Sequence, residues 1–87
     1  MRAVVFAAAA PGLFPNPASA HTTLDLTGLP AAVFDVTLVD KAGRVVQTHT
    51  LAGGQAHELQ LRGLPAGAYL VVIRGNSLKL VCRLLKQ

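Results

Sequence analysis

Eighty-seven residues leave room for one domain, and a chain this short buries only about 60% of its unfolded surface. Hydrophobic residues make up 52% and charged residues 14%, which excludes an intrinsically disordered tail. The net charge of +4 arises from eight lysines and arginines placed singly, with Tyr69 the one aromatic residue among them, so the clustered cations and stacking rings of a nucleic-acid binder are missing.

The segment Met1 to Ala10 starts with one cation, Arg2, and continues as a short apolar run. With Ala18-Ser19-Ala20 it has the pattern of a secretory signal peptide cut before His21. The run is too short to be a transmembrane segment. Pro11, Pro15 and Pro17 crowd the segment before that cleavage site, so residues 1–13 read rather as a leader or linker remnant ahead of a domain over 14–87.

Phe14 to Pro17 should be extended, because a residue before proline avoids the helical region. Thr22 to Leu26 is predicted as a strand with Leu24 and Leu26 inward. Gly28 and Pro30 turn the chain. Val33 to Val39 follows as a strand with Phe34, Val36 and Leu38 on one face. Asp40-Lys41-Ala42-Gly43 suits a type I hairpin turn. Val45 to Leu51 returns, with an ambiguous inward face. Ala52 to Gln55 is a loop, and His57 to Leu61 a strand with Leu59 and Leu61 inward.

Pro65 and Gly67 then make a corner before Ala68 to Ile73. Those six residues are apolar on both faces, as for a central strand or one that adds to a partner's sheet. Gly75-Asn76 leads into the final strand, Leu78 to Leu85, with Leu78, Leu80, Cys82 and Leu84 inward and Lys79 and Arg83 outward. Turn signals roughly every ten residues predict an all-β fold, a small antiparallel β-sandwich of about seven strands. Leu64-Pro65-Ala66-Gly67-Ala68-Tyr69 fits the tyrosine corner of immunoglobulin-like sandwiches or, alternatively, a packed tyrosine with a surface hydroxyl.

The run Leu24-x-Leu26-x-Gly28-Leu29-Pro30-Ala31 recurs as Leu59-x-Leu61-x-Gly63-Leu64-Pro65-Ala66. Either the match is chance among repeated residue types, or the sandwich contains two equivalent strand–corner–strand units. Two copies are too few for a solenoid.

Catalytic and metal signals are weak. His21, His49 and His57 lack metal-ligand spacing, and each reads as a solvated or hydrogen-bonded strand residue. The four acidic residues form no close pair. Gly53-Gly54 is followed by no helix that could help hold phosphate. Cys82 reads as a small buried hydrophobe. No enzyme activity, cofactor or metal is expected. Residues 41–87 hold seven cations against Glu58 alone. They serve either to keep strand edges soluble or as a basic face for an acidic partner.

Four pieces in order carry a family resemblance: Phe14-Pro15-Asn16-Pro17-Ala18, Asp40-Lys41-Ala42-Gly43-Arg44-Val45-Val46, Leu64-x-x-Gly67-x-Tyr69, and a last strand ending in Arg83-Leu84-Leu85-Lys86-Gln87. Together they resemble the type A C-terminal sorting domain of the type IX secretion system of Bacteroidetes. The resemblance implies an immunoglobulin-like sandwich that directs an attached cargo through the periplasm and outer membrane to the cell surface or the medium. It implies as partners the type IX translocon and a sortase-like peptidase, with no nucleic acid. It puts recognition at Leu64, Gly67, Tyr69 and Lys86, the opening motif at Pro15, Asn16 and Pro17, and the turn motif at Asp40, Gly43 and Arg44. Family members follow a cargo, and only about thirteen residues precede the match here, so the expectation is a gene fragment, a missed start or a remnant. The rival expectation is a small secreted structural or adhesive domain cleaved after Ala20.

Overall fold

Alternation decides which side of each strand is buried. In Val33–Asp40 the side chains of Phe34, Val36 and Leu38 are wholly buried, while Val33 and Asp35 are exposed. In Gly67–Gly75 the inward set is Tyr69, Val71 and Ile73. Burying each large apolar side chain stabilises the fold by about 1.5–3 kcal/mol relative to leaving it in water.

The computed structural model describes residues 11–87, and the described residues form seven strands and no helix. In chain order these are β1 (Gly12–Phe14), β2 (His21–Asp25), β3 (Val33–Asp40), β4 (Val45–Ala52), β5 (Ala56–Gln60), β6 (Gly67–Gly75) and β7 (Leu78–Lys86). The signal-peptide-like run Met1 to Ala10 lies outside the described residues.

The strands pair antiparallel in two sheets, ordered β1-β2-β5 and β4-β3-β6-β7. Leu24, Leu26, Leu59 and Leu61 from the first sheet and its ends meet Phe34, Val36, Leu38, Val71, Ile73 and Leu84 from the second. The result is a small immunoglobulin-like β-sandwich in which β4 stays beside β3. In the constant-type immunoglobulin arrangement the fourth strand belongs to the other sheet.

The internal echo corresponds to two equivalent units. Each runs from the first sheet through a corner to the second, and the units pair with each other, β2 with β5 and β3 with β6. Leu26 N donates to Gln55 O, and the counterpart Leu61 N donates to Ala20 O. The corners repeat as well, through Leu29 N to Leu26 O and Leu64 N to Leu61 O.

The ambiguous face of β4 has a physical cause. Its register with β3 shifts between Leu38 and Val39, which face Gln47 and Val45. A bulge of this kind moves the inward set by one residue. Val46 packs toward the core on one side of the shift, and His49 and Leu51 sit half-buried on the other. Asn76 and Ser77 both have positive φ, as a tight two-residue turn between β6 and β7 requires. β6 does lie inside its sheet, between β3 and β7, but its outer side faces solvent, with Leu70 43% exposed.

Candidate recognition site

The opening motif covers a sheet edge. β7 is an outer strand, and the backbone groups along such an edge are a ready template for unwanted pairing. Asn16 Nδ2 donates to Arg83 O at 2.8 Å, and Asn16 Oδ1 accepts from Leu85 N at 3.0 Å. A side-chain amide offers one acceptor and two donors, so Asn16 stands in for a peptide group of a further strand. Real backbone continues the cover: Ala18 N donates to Leu85 O at 2.8 Å and Gln87 N to Ala18 O at 2.7 Å. Ala18 and Lys86 thereby form a parallel bridge. Pro15 and Pro17 bring no N–H that would need a partner here, and both of their peptide bonds are cis. Thr22 Oγ1, buried under this segment, donates to Pro15 O at 2.9 Å.

The turn motif closes the β3–β4 hairpin on one carboxylate. Asp40 Oδ1 accepts from Ala42 N and from Arg44 N, both at 2.9 Å, and Arg44 Nε donates to Asp40 Oδ2 at 3.2 Å. The backbone hydrogen bond from Arg44 is the chief cause that holds the Asp40 carboxyl below the usual carboxylate range. Gly43 supplies the positive φ, +87°, that lets the chain return.

The late motif is a tyrosine corner. Tyr69 is only 5% exposed, and its hydroxyl donates to Pro65 O. Leu64 is half-buried against the core. Gly67 has φ +153°, and a Cβ there would meet nothing within 4 Å, so the position needs glycine for its conformation rather than for space.

These pieces meet at one end of the four-stranded sheet. Asp40 is the Cα partner of Tyr69, and Leu70 lies between Val39 and Arg83. Ala68 pairs with Leu85. Two adjoining hollows share Ala68 and Arg83 as lining residues. One, of about 310 Å³, reaches the turn at Asp40, Lys41 and Gly43; the other, of about 290 Å³, reaches Asn16 and Pro17. Motifs separated by most of the chain therefore border one surface.

The residues singled out by resemblance divide by location. Leu64 and Tyr69 point inward and Gly67 shapes backbone, while Pro15, Asn16, Pro17, Gly43 and Arg44 are exposed. Lys86 is half-buried, and its Nζ donates to Gln87 O at 3.0 Å. Ala68, Leu70 and Leu85 are not among the residues that the resemblance singles out. All three are exposed at this end, together with Arg83. Their signal was the alternation itself, which turns every second residue of the late motif and the last strand outward.

The histidines are apart and occupied. His21 Nε2 lies 3.7 Å from Glu58, His49 Nε2 is 2.8 Å from Gln47 Oε1, and His57 Nε2 donates to Ala52 O at 2.7 Å. Among the described residues no group of three His, Cys, Asp or Glu side chains could hold a metal. Cys82 is half-buried with Sγ 3.6 Å from Pro11 O, and burial pushes its thiol pKa up. That environment disfavours a reactive thiolate. Among the described residues no helix is long and apolar enough to cross a membrane.

A family model, secretion system C-terminal sorting domain, matches residues 12–87. The match begins at the first residue of β1 and spans the whole sandwich. A search of curated proteins returned no match. The motif set, the sandwich it builds and the family match converge: the chain belongs to the C-terminal sorting domains that act as the sorting signal of type IX secretion.

Proposed function

We propose that this domain is a non-catalytic folded label, read at the end where its four motifs meet. The type IX translocon binds that end after the attached cargo has entered the periplasm. The cargo then crosses the outer membrane, and a sortase-like peptidase removes the label. Leu64, Gly67 and Tyr69 serve by holding the corner in shape, and Lys86 by anchoring the last strand. The observation that carries this reading is the joining of the opening motif to the terminal strand through Asn16 and Ala18.

The rival reading, a secreted adhesive or structural domain cut after Ala20, loses support from what the cut would remove. It would take away β1 and the Asn16–Ala18 cover, including Ala18, which is 1% exposed in the core. A reporter secreted to the periplasm of a type IX-competent bacterium and fused to residues 12–87 tests the two. The sorting reading expects protease-accessible reporter on the cell surface. Reporter retained in the periplasm with the label intact would overturn it, as would a mature chain beginning at His21 when the full chain, residues 1–87, is expressed by itself.

A further inference from the structure

The outer face of the β4-β3-β6-β7 sheet has an unmatched cation beside a small apolar hollow. Ala68 forms the floor, next to Leu85 in its own row and to Leu70 along the strand. Leu70 and Leu85 are 43% and 48% exposed. The next row is Val39, Leu70 and Arg83. Because position 68 carries only a methyl group, the larger side chains around it leave a depression rather than a flat sheet.

The chain has four carboxylate side chains; of these Asp40 lines this hollow, but its oxygens are already engaged by its own turn and by Arg44. Asp25 accepts from Thr27, Asp40 is committed to its own turn and Arg44, and Glu58 faces His21. Asp35 lies at the other end of the outer face, in register with Arg74. Residues 1–10 contain no Asp or Glu. Among the described residues neither Arg83 nor Lys41 forms a salt bridge, although both line the same hollow. An apolar floor with cations at its rim is complementary to a carboxylate flanked by apolar groups.

We propose that this hollow binds an extended acidic segment of the export receptor, with leucine-like side chains over Ala68 and Leu70 and a carboxylate on Arg83. The proposal rests on the sorting function above and adds the chemistry of the partner. The volume suits one or two side chains rather than a folded surface. The contact is a rim ion pair plus modest apolar area, so it is weak, rapidly reversible and salt-sensitive. Arg83 supplies direction by a forked hydrogen bond that Lys41 cannot reproduce.

The test is a chemical-shift titration of the isotopically labelled full chain with a short peptide of alternating leucine and glutamate. The matched probe has glutamine in place of glutamate. Shifts should centre on Ala68, Leu70, Arg83 and Leu85, and the glutamine probe should bind about two- to fivefold more weakly, the range for one exposed ion pair. Arg83→Ala should abolish that difference, and Lys79→Ala should preserve it. Ala68→Leu fills the floor and should weaken both probes. Equal binding of the two probes, or shifts centred elsewhere, would overturn the proposal. So would binding to phosphatidylglycerol vesicles without peptide binding, which would assign the face to a lipid surface. Surface display of the fused reporter reads the sorting function separately. Normal display with no peptide response sinks this proposal and leaves sorting standing, whereas absent display of the parent fusion sinks the sorting reading itself.

Discussion

Replacing Asn16 by alanine removes the side chain that completes the β7 edge. Two hydrogen bonds go with it, the 2.8 Å donation to Arg83 O and the 3.0 Å acceptance from Leu85 N. Each is worth about 0.5–1.5 kcal/mol net. Both are exposed, so water can re-satisfy the two backbone groups, and the total should be about 1–2 kcal/mol. For a domain of this size each kcal/mol moves Tm by about 4–8 °C, so Asn16→Ala should melt about 4–16 °C below the parent. Truncating a buried ring such as Phe34 should cost more, about 3–5 kcal/mol. The loss should also be local. The Leu85 amide, deprived of its acceptor, should exchange faster with solvent, while the amides that join β3 to β6 keep their protection. Thermal melts followed by circular dichroism, with amide exchange read by NMR, check both parts. A midpoint within about 1 °C of the parent, with unchanged Leu85 exchange, would refute the claim that Asn16 closes the edge.

Three further outcomes follow from the same geometry. Tyr69→Phe removes only the hydroxyl bond to Pro65 O and should lower the urea midpoint by the equivalent of about 1 kcal/mol, with an unchanged m-value. Gly53→Ala would drive a methyl group into the Pro30 carbonyl and the Phe34 ring, so it should destabilise by about 1–3 kcal/mol or prevent folding, seen as loss of dispersed amide signals. Asp40 has a folded pKa below the ordinary value, so its stabilising contribution is present above the unfolded carboxylate pKa. That contribution is lost as pH falls through the folded value. Urea midpoints taken downward from about pH 5 should therefore decline less steeply in Asp40→Asn than in the parent. Asp25, held low by Thr27, keeps part of the acid dependence in both.

Much of the architecture was legible because burial follows a period of two. Phe34, Val36 and Leu38 announce the inward side of β3, and Leu59 and Leu61 do the same through β5 and its end. The Leu64–Tyr69 spacing announced the corner because a tyrosine four residues past a carbonyl can reach back to it. The edge cover was not legible. Asn16 and Arg83 are 67 positions apart, and no local pattern reports a bond over that separation. β4 was ambiguous because its bulge breaks the alternation that the reading depends on. The hollow over Ala68 was hidden by composition, since an exposed apolar position inside Ala68-Tyr69-Leu70-Val71 looks the same as a buried one.

Arg83 and Lys79 make a matched pair for deciding which end of the sandwich is read. Both lie on β7 with exposed cationic side chains on the outer face, but only Arg83 borders the meeting point of the motifs. The direct measurement is surface display of a fused reporter carrying Arg83→Glu or Lys79→Glu, with melting curves to show that both variants are folded. Loss of display in Arg83→Glu with display retained in Lys79→Glu is the predicted result. Retained display in folded Arg83→Glu, or loss in Lys79→Glu alone, would contradict the account.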